Sequence, residues 1–347
     1  MSFFTQTKSI KLAITLLITA GFTSAISAEK YKLPVDKVQG AVSVMVLGSG
    51  GPTALAKRAS ASYLIFIDGK PRILMDAGGG SYKNLALSGV NIADLDIVLL
   101  SHLHIDHMGD LSAFVKGIFF HNRANRTQRS LPIRIFGPGE NGVKFPPPNN
   151  NITQYPATDT YVSQLYHQQT GIERYLNIFA KAIKGGTFSW QTTNISAKLT
   201  DPVDTIVNKD GLVIKALAVF HGPVPALAYR IEYKGISIVY SGDTNSKSNN
   251  MITLSQNANM VIYDTAITDT LPNLYPSDVV FKALHTTPSR MGVVCATANP
   301  KTLLLSHLTP VTSVRTKEIK KVIRLNGYTG KIKVAKDLKV YNFSIKH

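Results

Sequence analysis

The sequence predicts an α/β protein in which two β-sheets pack between two layers of helices, an αββα sandwich. Strand-length apolar runs alternate with helical segments from the start, with a strand at 62–67, a helix from Ser81 and a strand at 97–100. The segment Leu-Leu-Ser-His-Leu occurs twice, at 99–103 and 304–308. This repetition fits two strand ends that deliver side chains to one edge of such a sandwich.

Composition indicates a globular protein with a sizeable core, since 44% of the 347 residues are hydrophobic. The single cysteine, Cys295, excludes intrachain disulfides, and its apolar neighbours favour a core position over a nucleophilic role. The formal net charge of +17 favours anionic substrates or polyanions. Solvated lysines also explain such a charge, so charge alone does not establish nucleic-acid binding.

The N-terminus predicts a secretory signal peptide over residues 1–28, followed by one domain over 29–347. Lys8 and Lys11 precede an apolar stretch, and small residues follow it before Glu29. The apolar part is short for a membrane span, although an uncleaved anchor is the alternative. We therefore expect export to the periplasm or the medium and no stable membrane span after signal removal.

The densest cluster of candidate functional residues follows the apolar strand 97–100. His102, His104, Asp106 and His107 lie within six residues, an arrangement that core packing explains poorly. Imidazole and carboxylate groups bind zinc and similar divalent metals near neutral pH. In extended chain, His102 and His104 point to the same side and can share one ion, while a turn directs Asp106 and His107 to a second.

This His-x-His-x-Asp-His motif after a hydrophobic strand resembles the metallo-β-lactamase superfamily, and within it the ribonuclease Z and secreted arylsulfatase-like branch. Four further segments carry the resemblance. They are the glycine loop 48–51, Phe136-Gly137-Pro138-Gly139, Ala228-Tyr229-Arg230-Ile231 and His285-Thr286-Thr287. The resemblance extends from Val42 to Phe343, and it implies the αββα sandwich of that superfamily with a helical lid insertion.

The resemblance also implies a metal site with two Zn²⁺ ions, for which Mn²⁺ or Fe are alternatives. The implied ligands of one ion are His102, His104 and His221, and those of the other are Asp106, His107 and His307. Asp243 would bridge the two ions, its alternative role being to cap the next helix. A shared metal-bound hydroxide would attack the substrate, and Asp106 would also orient this nucleophile.

Two other polar residues have candidate roles at this site. His285 resembles the histidine of ribonuclease Z-type phosphodiesterases and would act as general acid or contact the phosphoryl or sulfuryl oxygens. A structural histidine at a helix start is the alternative. Asp76 follows a predicted strand, where it either orients a metal-binding histidine or caps the helix that begins near Ser81.

Residues 142–200 predict a lid-like insertion over the mouth of the active site. Its Pro- and Asn-rich stretch 146–151 precedes two predicted helices, 158–169 and 172–184. Its aromatic side chains line a substrate wall or pack in the interior: Tyr161, Tyr166, Tyr175 and Trp190. The insertion does not resemble the flexible glycine- and lysine-rich arm by which ribonuclease Z holds tRNA.

The sequence therefore predicts an exported dinuclear-zinc hydrolase that cleaves phosphodiester or sulfate ester bonds in a small anionic substrate. A ribonuclease Z-type endoribonuclease is one alternative, disfavoured by the signal peptide and by the missing arm. A lactonase or β-lactamase is another, although such enzymes do not need the His285 motif. A non-catalytic metal-binding module is the alternative outside the enzymes, and a homodimer stays open.

Overall fold

The predicted apolar runs form two seven-stranded sheets. The computed structural model describes residues 32–124, 132–144, 154–182, 189–270 and 276–345. The predicted signal peptide and the stretch 146–151 lie outside these residues. In the described part of the chain, no helix is long and apolar enough to cross a lipid bilayer.

The two sheets share one plan, three antiparallel pairings followed by three parallel ones. The first sheet contains, in spatial order, β14 (Val340–Phe343), β1 (Val42–Gly48), β2 (Ser62–Ile67), β3 (Lys70–Met75), β4 (Ile97–Leu99), β5 (Ile133–Pro138) and β6 (Trp190–Ile195). The second contains β7 (Asp204–Lys209), β8 (Leu212–Ala218), β9 (Leu227–Tyr233), β10 (Ile236–Tyr240), β11 (Met260–Asp264), β12 (Thr302–Ser306) and β13 (Lys331–Val334).

Helices cover the outer face of each sheet. Over the first sheet lie α1 (Ser81–Ser88), α3 (Leu111–Ala124), α4 (Thr158–Leu165) and α5 (Ile172–Ala182). Over the second lie α6 (Asn250–Ser255), α8 (Pro288–Ala298) and α10 (Thr316–Leu325). The remaining helices are a 3₁₀ helix (Pro34–Lys37), α2 (Ile105–Met108), α7 (Pro276–Leu284) and α9 (Pro310–Val314).

Strand periodicity sorts the apolar side chains into separate cores. Val44 and Val46 of β1 lie in the core between the sheets, whereas Met45 and Leu47 lie in the core beneath the helices of the first sheet. A strand buried on both faces has to be apolar throughout, which explains the continuous hydrophobic runs. A third core, which includes the buried Cys295, lies between the second sheet and its helices. The four layers confirm the predicted αββα sandwich.

The two Leu-Leu-Ser-His-Leu segments end strands that do not occupy equivalent places in the shared plan. The first ends β4, which pairs directly with β3, where the parallel run of the first sheet starts. The second ends β12, which β11 separates from the start of the parallel run in its own sheet. Both strands nevertheless deliver a histidine at their carboxyl ends, and this shared role accounts for the repetition better than an internal symmetry does.

The predicted insertion 142–200 covers most of the connection between the parallel strands β5 and β6, and it also includes β6, which is a strand of the first sheet. The first helix in it, α4, ends at Leu165, earlier than predicted, because Tyr166 leaves the helical conformation (φ −100°, ψ 20°). Val162 and Leu176 lie in the core beneath the helices of the first sheet, so α4 and α5 form part of that helical layer. The lid function of the insertion stays a prediction.

Asp337 connects three segments near the end of β1. Its carboxylate accepts hydrogen bonds from the backbone N–H groups of Ser49 (3.1 Å) and Ala59 (2.7 Å) and from Asn84 Nδ2 (2.9 Å). The carbonyl of Ser49 in turn accepts from the N–H of Leu308 at 3.0 Å. Asp337 therefore holds Ser49 of the glycine loop 48–51 in place, and the carbonyl of Ser49 contacts the residues that follow β12.

We expect Asp337→Ala to lower the free energy of unfolding by about 2 kcal/mol or more, since each partly buried donor left without an acceptor costs about 1–3 kcal/mol. Urea denaturation measures the change. Asp94→Ala, at an exposed position, is the matched control and should stay within about 0.5 kcal/mol of the unaltered protein. Equal stability of the two variants would contradict the structural role of Asp337.

Candidate metal centre

Seven side chains converge at one edge of the sandwich, where strands of both sheets end. They follow β4 (His102, His104), lie in α2 (Asp106, His107), or follow β8, β10 and β12 (His221, Asp243, His307). The carboxyl ends of parallel strands meet at one edge of a sheet, and ligands collect there in α/β proteins. All seven are residues that the sequence predicts as metal ligands, and the structure brings them together.

The first predicted ligand set is a tight group of three imidazoles. His104 Nδ1 lies 2.9 Å from His102 Nε2 and 3.4 Å from His221 Nε2. Neutral imidazoles each present one nitrogen lone pair, so three that face one another need a proton or a cation between them. The geometry therefore fits a shared cation.

The second predicted set combines two imidazoles with a carboxylate. The Nε2 atoms of His107 and His307 lie 3.1 Å apart. Asp106 Oδ2 lies 3.1 Å from His307 Nε2 and 3.4 Å from His107 Nε2. These three ligand atoms are arranged to meet a second cation on the other side of the cluster.

Asp243 lies between the two sets, and each of its oxygens faces one of them. Oδ2 lies 3.8 Å from His102 Nε2 and 3.9 Å from His221 Nε2. Oδ1 lies 3.3 Å from His107 Nε2 and 3.4 Å from His307 Nε2. This placement is the one that a bridging carboxylate needs, and metal binding by Asp243 stays a prediction.

In the part of the chain that the structure describes, one buried oxygen of Asp243 lacks a hydrogen-bond donor, which indicates whether the cluster suits a cation. Asp243 Oδ1 is buried and has no well-aligned hydrogen bond among the described residues, despite the two nearby ring nitrogens. A buried carboxylate oxygen without a donor is costly, and a bound divalent cation removes that cost. The nitrogen and oxygen donors suit zinc, manganese and iron alike. The residues therefore fit divalent metal ions.

Burial keeps the first set of imidazoles neutral. It lowers the pKa of His102 well below its ordinary value, lowers that of His104, and lowers the pKa of His221 to about 4. The neutral imidazole is the form that binds metals. The first set is therefore ready to bind a cation at neutral pH without losing a proton.

The second set behaves differently because carboxylates surround it. Burial lowers the pKa of His107 and His307, but Asp243 and the neighbouring carboxylates outweigh it. They raise the pKa of His107 well above its ordinary value and that of His307 to about 10. The field that draws protons to these two rings also attracts metal cations, which would displace those protons on binding.

Two of the predicted histidine ligands are held at the ring nitrogen that faces away from the cluster. His107 Nδ1 lies 2.6 Å from Asp76 Oδ2, and His221 Nδ1 lies 3.0 Å from the carbonyl oxygen of Leu284. When Nδ1 donates to such an acceptor, Nε2 presents its lone pair to the cluster. These contacts fix the orientation of both rings and, in the neutral form that binds metal, also the tautomer.

Of the two roles that the sequence leaves open for Asp76, the structure favours orientation of a histidine. Besides its contact with His107, the carboxylate accepts a hydrogen bond of 2.6 Å from the Tyr240 hydroxyl. The side chain that accepts a hydrogen bond at the start of α1 is instead that of Asp110. Its Oδ2 accepts from the N–H of Tyr82 at 2.9 Å. The cap interpretation of Asp76 is therefore wrong.

His285 stands beside both ligand sets. Its ring centroid lies 5.4 Å from that of His221 and 5.5 Å from that of His307. Its Nδ1 lies 2.7 Å from Asp264 Oδ2, and Asp264 Oδ1 lies 3.3 Å from His307 Nδ1. Asp264 is not among the site residues predicted from the sequence, although it ends β11, the strand between β10 and β12.

The glycine loop lies close to His307, a residue with an unusual backbone conformation. His307 has φ +56°, a left-handed conformation that side chains rarely adopt and that concentrates at functional sites. A Cβ at Gly51 would lie 3.1 Å from His307 Cε1. Glycine at 51 therefore lets the loop pack against this imidazole without displacing it.

The family model of the metallo-β-lactamase superfamily matches residues 56–307. The chain belongs to the metallo-β-lactamase superfamily. The matched range contains all seven predicted ligands and His285. The sequence resemblance to this superfamily is thereby confirmed.

Proteins similar to this chain include ribonuclease Z of two species. The chain is 25% identical over 301 residues to ribonuclease Z of Mycolicibacterium paratuberculosis, a match that covers 86% of this chain and 96% of that protein. It is 27% identical over 308 residues to ribonuclease Z of Mycobacterium bovis, covering 85% and 96%. The chain is therefore similar to ribonuclease Z over most of its length.

Solved structures support the fold. Human tRNase Z, short form, aligns with a TM-score of 0.59 at 17% identity, covering 88% of this chain and all of that one (100%). A metallo-β-lactamase fold protein of Bacillus subtilis aligns with a TM-score of 0.57 at 21% identity, covering 86% and 98%. At these identities the likeness concerns the fold alone.

The three histidines outside the predicted site have other surroundings. His121 Nδ1 accepts a hydrogen bond of 2.8 Å from the N–H of Ile92. His167 is exposed in the turn after α4, where its Nδ1 accepts from the N–H of Thr170 at 3.3 Å. His347 lies outside the described residues.

We expect the protein that begins at Glu29 to bind about two divalent metal ions. Asp243→Ala should reduce the bound metal, because it removes the oxygens that face both sets. Elemental analysis after dialysis against zinc measures the content, and a metal-dependent rise in melting temperature is the second readout. His167→Ala is the matched control and should bind as much metal as the unaltered protein. Unchanged content in Asp243→Ala would contradict a bridging role.

We expect Asp76→Asn to weaken metal binding about 10–100-fold, because the carboxylate that orients His107 becomes a neutral amide. Asparagine tolerates the left-handed backbone of Asp76 (φ +54°), so the substitution adds little strain. Competition with a chromogenic chelator gives the affinity. Asp110→Asn, which preserves an acceptor at the start of α1, should leave the affinity unchanged. Equal metal affinities of the two variants would contradict a role of Asp76 in metal binding.

Proposed function

We propose that this protein is a metal-dependent phosphodiesterase with ribonuclease Z-type chemistry. The observation that carries the proposal is the His285–Asp264 pair, joined at 2.7 Å, beside the seven predicted ligands. Hydrolysis of a diester needs an activated water, stabilisation of negative charge and protonation of a leaving oxygen. The cluster and the adjacent pair supply a candidate group for each requirement.

The predicted metal site accounts for two of these requirements. Divalent ions held there would lower the pKa of a bound water and stabilise negative charge on the attacked group. Asp106 is positioned to orient the water, because its Oδ2 faces the second ligand set while part of its side chain remains accessible (13%). These roles rest on the donor set and its geometry.

His285 is the candidate proton donor to the leaving oxygen. Asp264 occupies its Nδ1, so Nε2 is the nitrogen available to a substrate. Asp264 acts here as a positioning residue that holds His285 against the cluster.

The basic net charge of +17 and the similarity to ribonuclease Z support an anionic phosphoryl substrate. RNA is the second candidate substrate, favoured by the coverage of the ribonuclease Z relatives. Cleavage of a precursor tRNA with a 3′ extension, abolished in Asp243→Ala, would assign it. Sulfate esters, export through the predicted signal peptide and homodimer formation stay predictions from the sequence.

We expect the zinc-loaded protein that begins at Glu29 to hydrolyse bis(p-nitrophenyl) phosphate. His285→Ala should lower kcat about 10²–10⁴-fold for a phosphodiester with a phenyl leaving group. The loss should be smaller for bis(p-nitrophenyl) phosphate, whose leaving group is p-nitrophenyl. The difference arises because the poorer leaving group depends more on protonation. Initial rates with the two esters measure it, and metal content is checked in parallel.

Asp243→Ala provides the blank for this assay, and His167→Ala should retain full activity. Turnover of p-nitrophenyl sulfate in place of the diester would indicate that the protein hydrolyses sulfate esters. Turnover of a lactone alone, unaffected by His285→Ala, would contradict the phosphodiesterase proposal and leave the metal centre intact.

A further inference from the structure

A cavity of about 200 Å³ lies directly against the predicted metal centre. His104 forms part of its wall, and the rest is apolar or aromatic, with Leu103, Pro138, Tyr161 and Val224 among the contributors. These residues belong to the segments after β4 and β8, the end of β5, and α4. Several of the segments that deliver the ligands therefore also enclose the cavity.

The cavity and the ligand cluster share a side chain. One nitrogen of His104, Nδ1, faces His102 and His221, while the same ring lines the cavity. Val224 is joined to His221 by a hydrogen bond of 3.2 Å from its N–H to the carbonyl oxygen of His221. The cavity is therefore close enough to the cluster to receive a substituent of a molecule that reacts there.

The wall is poor in hydrogen-bonding groups. None of the described residues that line the cavity is a lysine, an arginine or an acidic residue. The hydroxyl of Tyr161 is directed to Met108 Sδ, 3.6 Å away. A buried polar group without a partner costs about 1–3 kcal/mol, so the wall disfavours the polar edges of a nucleobase. It favours an apolar ring.

The size of the cavity suits one ring. An apolar cavity of about 150 Å³ already binds benzene, whereas pockets for drug-sized ligands start near 300 Å³. The volume of about 200 Å³ lies between these limits. Ile105 adds apolar surface beside the ligands, since it is 70% exposed between His104 and Asp106.

We propose that this cavity is a subsite for an aromatic ring carried by the ester that the metal centre hydrolyses. The inference rests on the proposed phosphodiesterase function and narrows its substrates to aryl esters. Tyr161 is the specificity-determining residue, because its aromatic ring forms part of the wall without belonging to the ligand cluster.

The test is the binding of p-nitroanisole, which has the ring of a p-nitrophenyl ester but neither a phosphate nor an acidic group. Calorimetry on the zinc-loaded protein should detect binding, and Tyr161→Ala should weaken it about tenfold. Tyr161→Phe should bind as the unaltered protein does, because it keeps the ring. Tyr175→Ala, which removes an exposed tyrosine (70%) of α5, is the matched control and should not change binding.

A second variant guards against misfolding of Tyr161→Ala. Tyr161→Leu keeps apolar packing beneath α4 and should also weaken binding, with an unchanged melting temperature. Tighter binding of uridine than of p-nitroanisole, or p-nitroanisole binding unaffected by both substitutions, would overturn the subsite. Ring binding that depends on Tyr161 without diester turnover would leave the subsite standing and refute the phosphodiesterase proposal instead.

Discussion

The placement of one buried carboxylate between imidazoles of both sheets is the constraint on which the site depends. Asp243 follows β10 of the second sheet, yet its two oxygens also face His102 and His107, which follow the first sheet. Several titratable side chains buried together are unfavourable unless each is paired or bound to a cation. The apolar cores on both sides of each sheet supply the rigidity that holds these groups close.

The structure brings together the seven residues that the sequence predicts as ligands, and each of them carries a signal that is local in the sequence. Four of them fall within six residues after one apolar strand, and His221, Asp243 and His307 each follow another such strand. The contacts of Asp264 escape prediction because they join residues on separate loops, where spacing along the chain carries no information. The role of Asp76 is ambiguous for the same reason, since nothing in the sequence indicates that Asp110 serves the start of α1.

The proposed ring subsite beside His104 and the groups proposed to react come in part from different elements of the fold. The groups proposed to react lie at the ends of strands, whereas part of the apolar wall comes from Tyr161 on α4. Because α4 also contributes Val162 to the core beneath the helices of the first sheet, this part of the wall is anchored by the fold itself. Its shape could not be read from the sequence, because its walls come from four separate segments.

The distribution of the ligands along the chain has a consequence for biogenesis. His107 and His307 meet at 3.1 Å although 200 residues separate them. The cluster can therefore close only after the ribosome has released His307, whereas four of the predicted ligands, those around α2, have emerged about 200 residues earlier. The predicted metal centre would be completed in whichever compartment the second sheet folds, and the metal supply of that compartment would decide which ion it acquires.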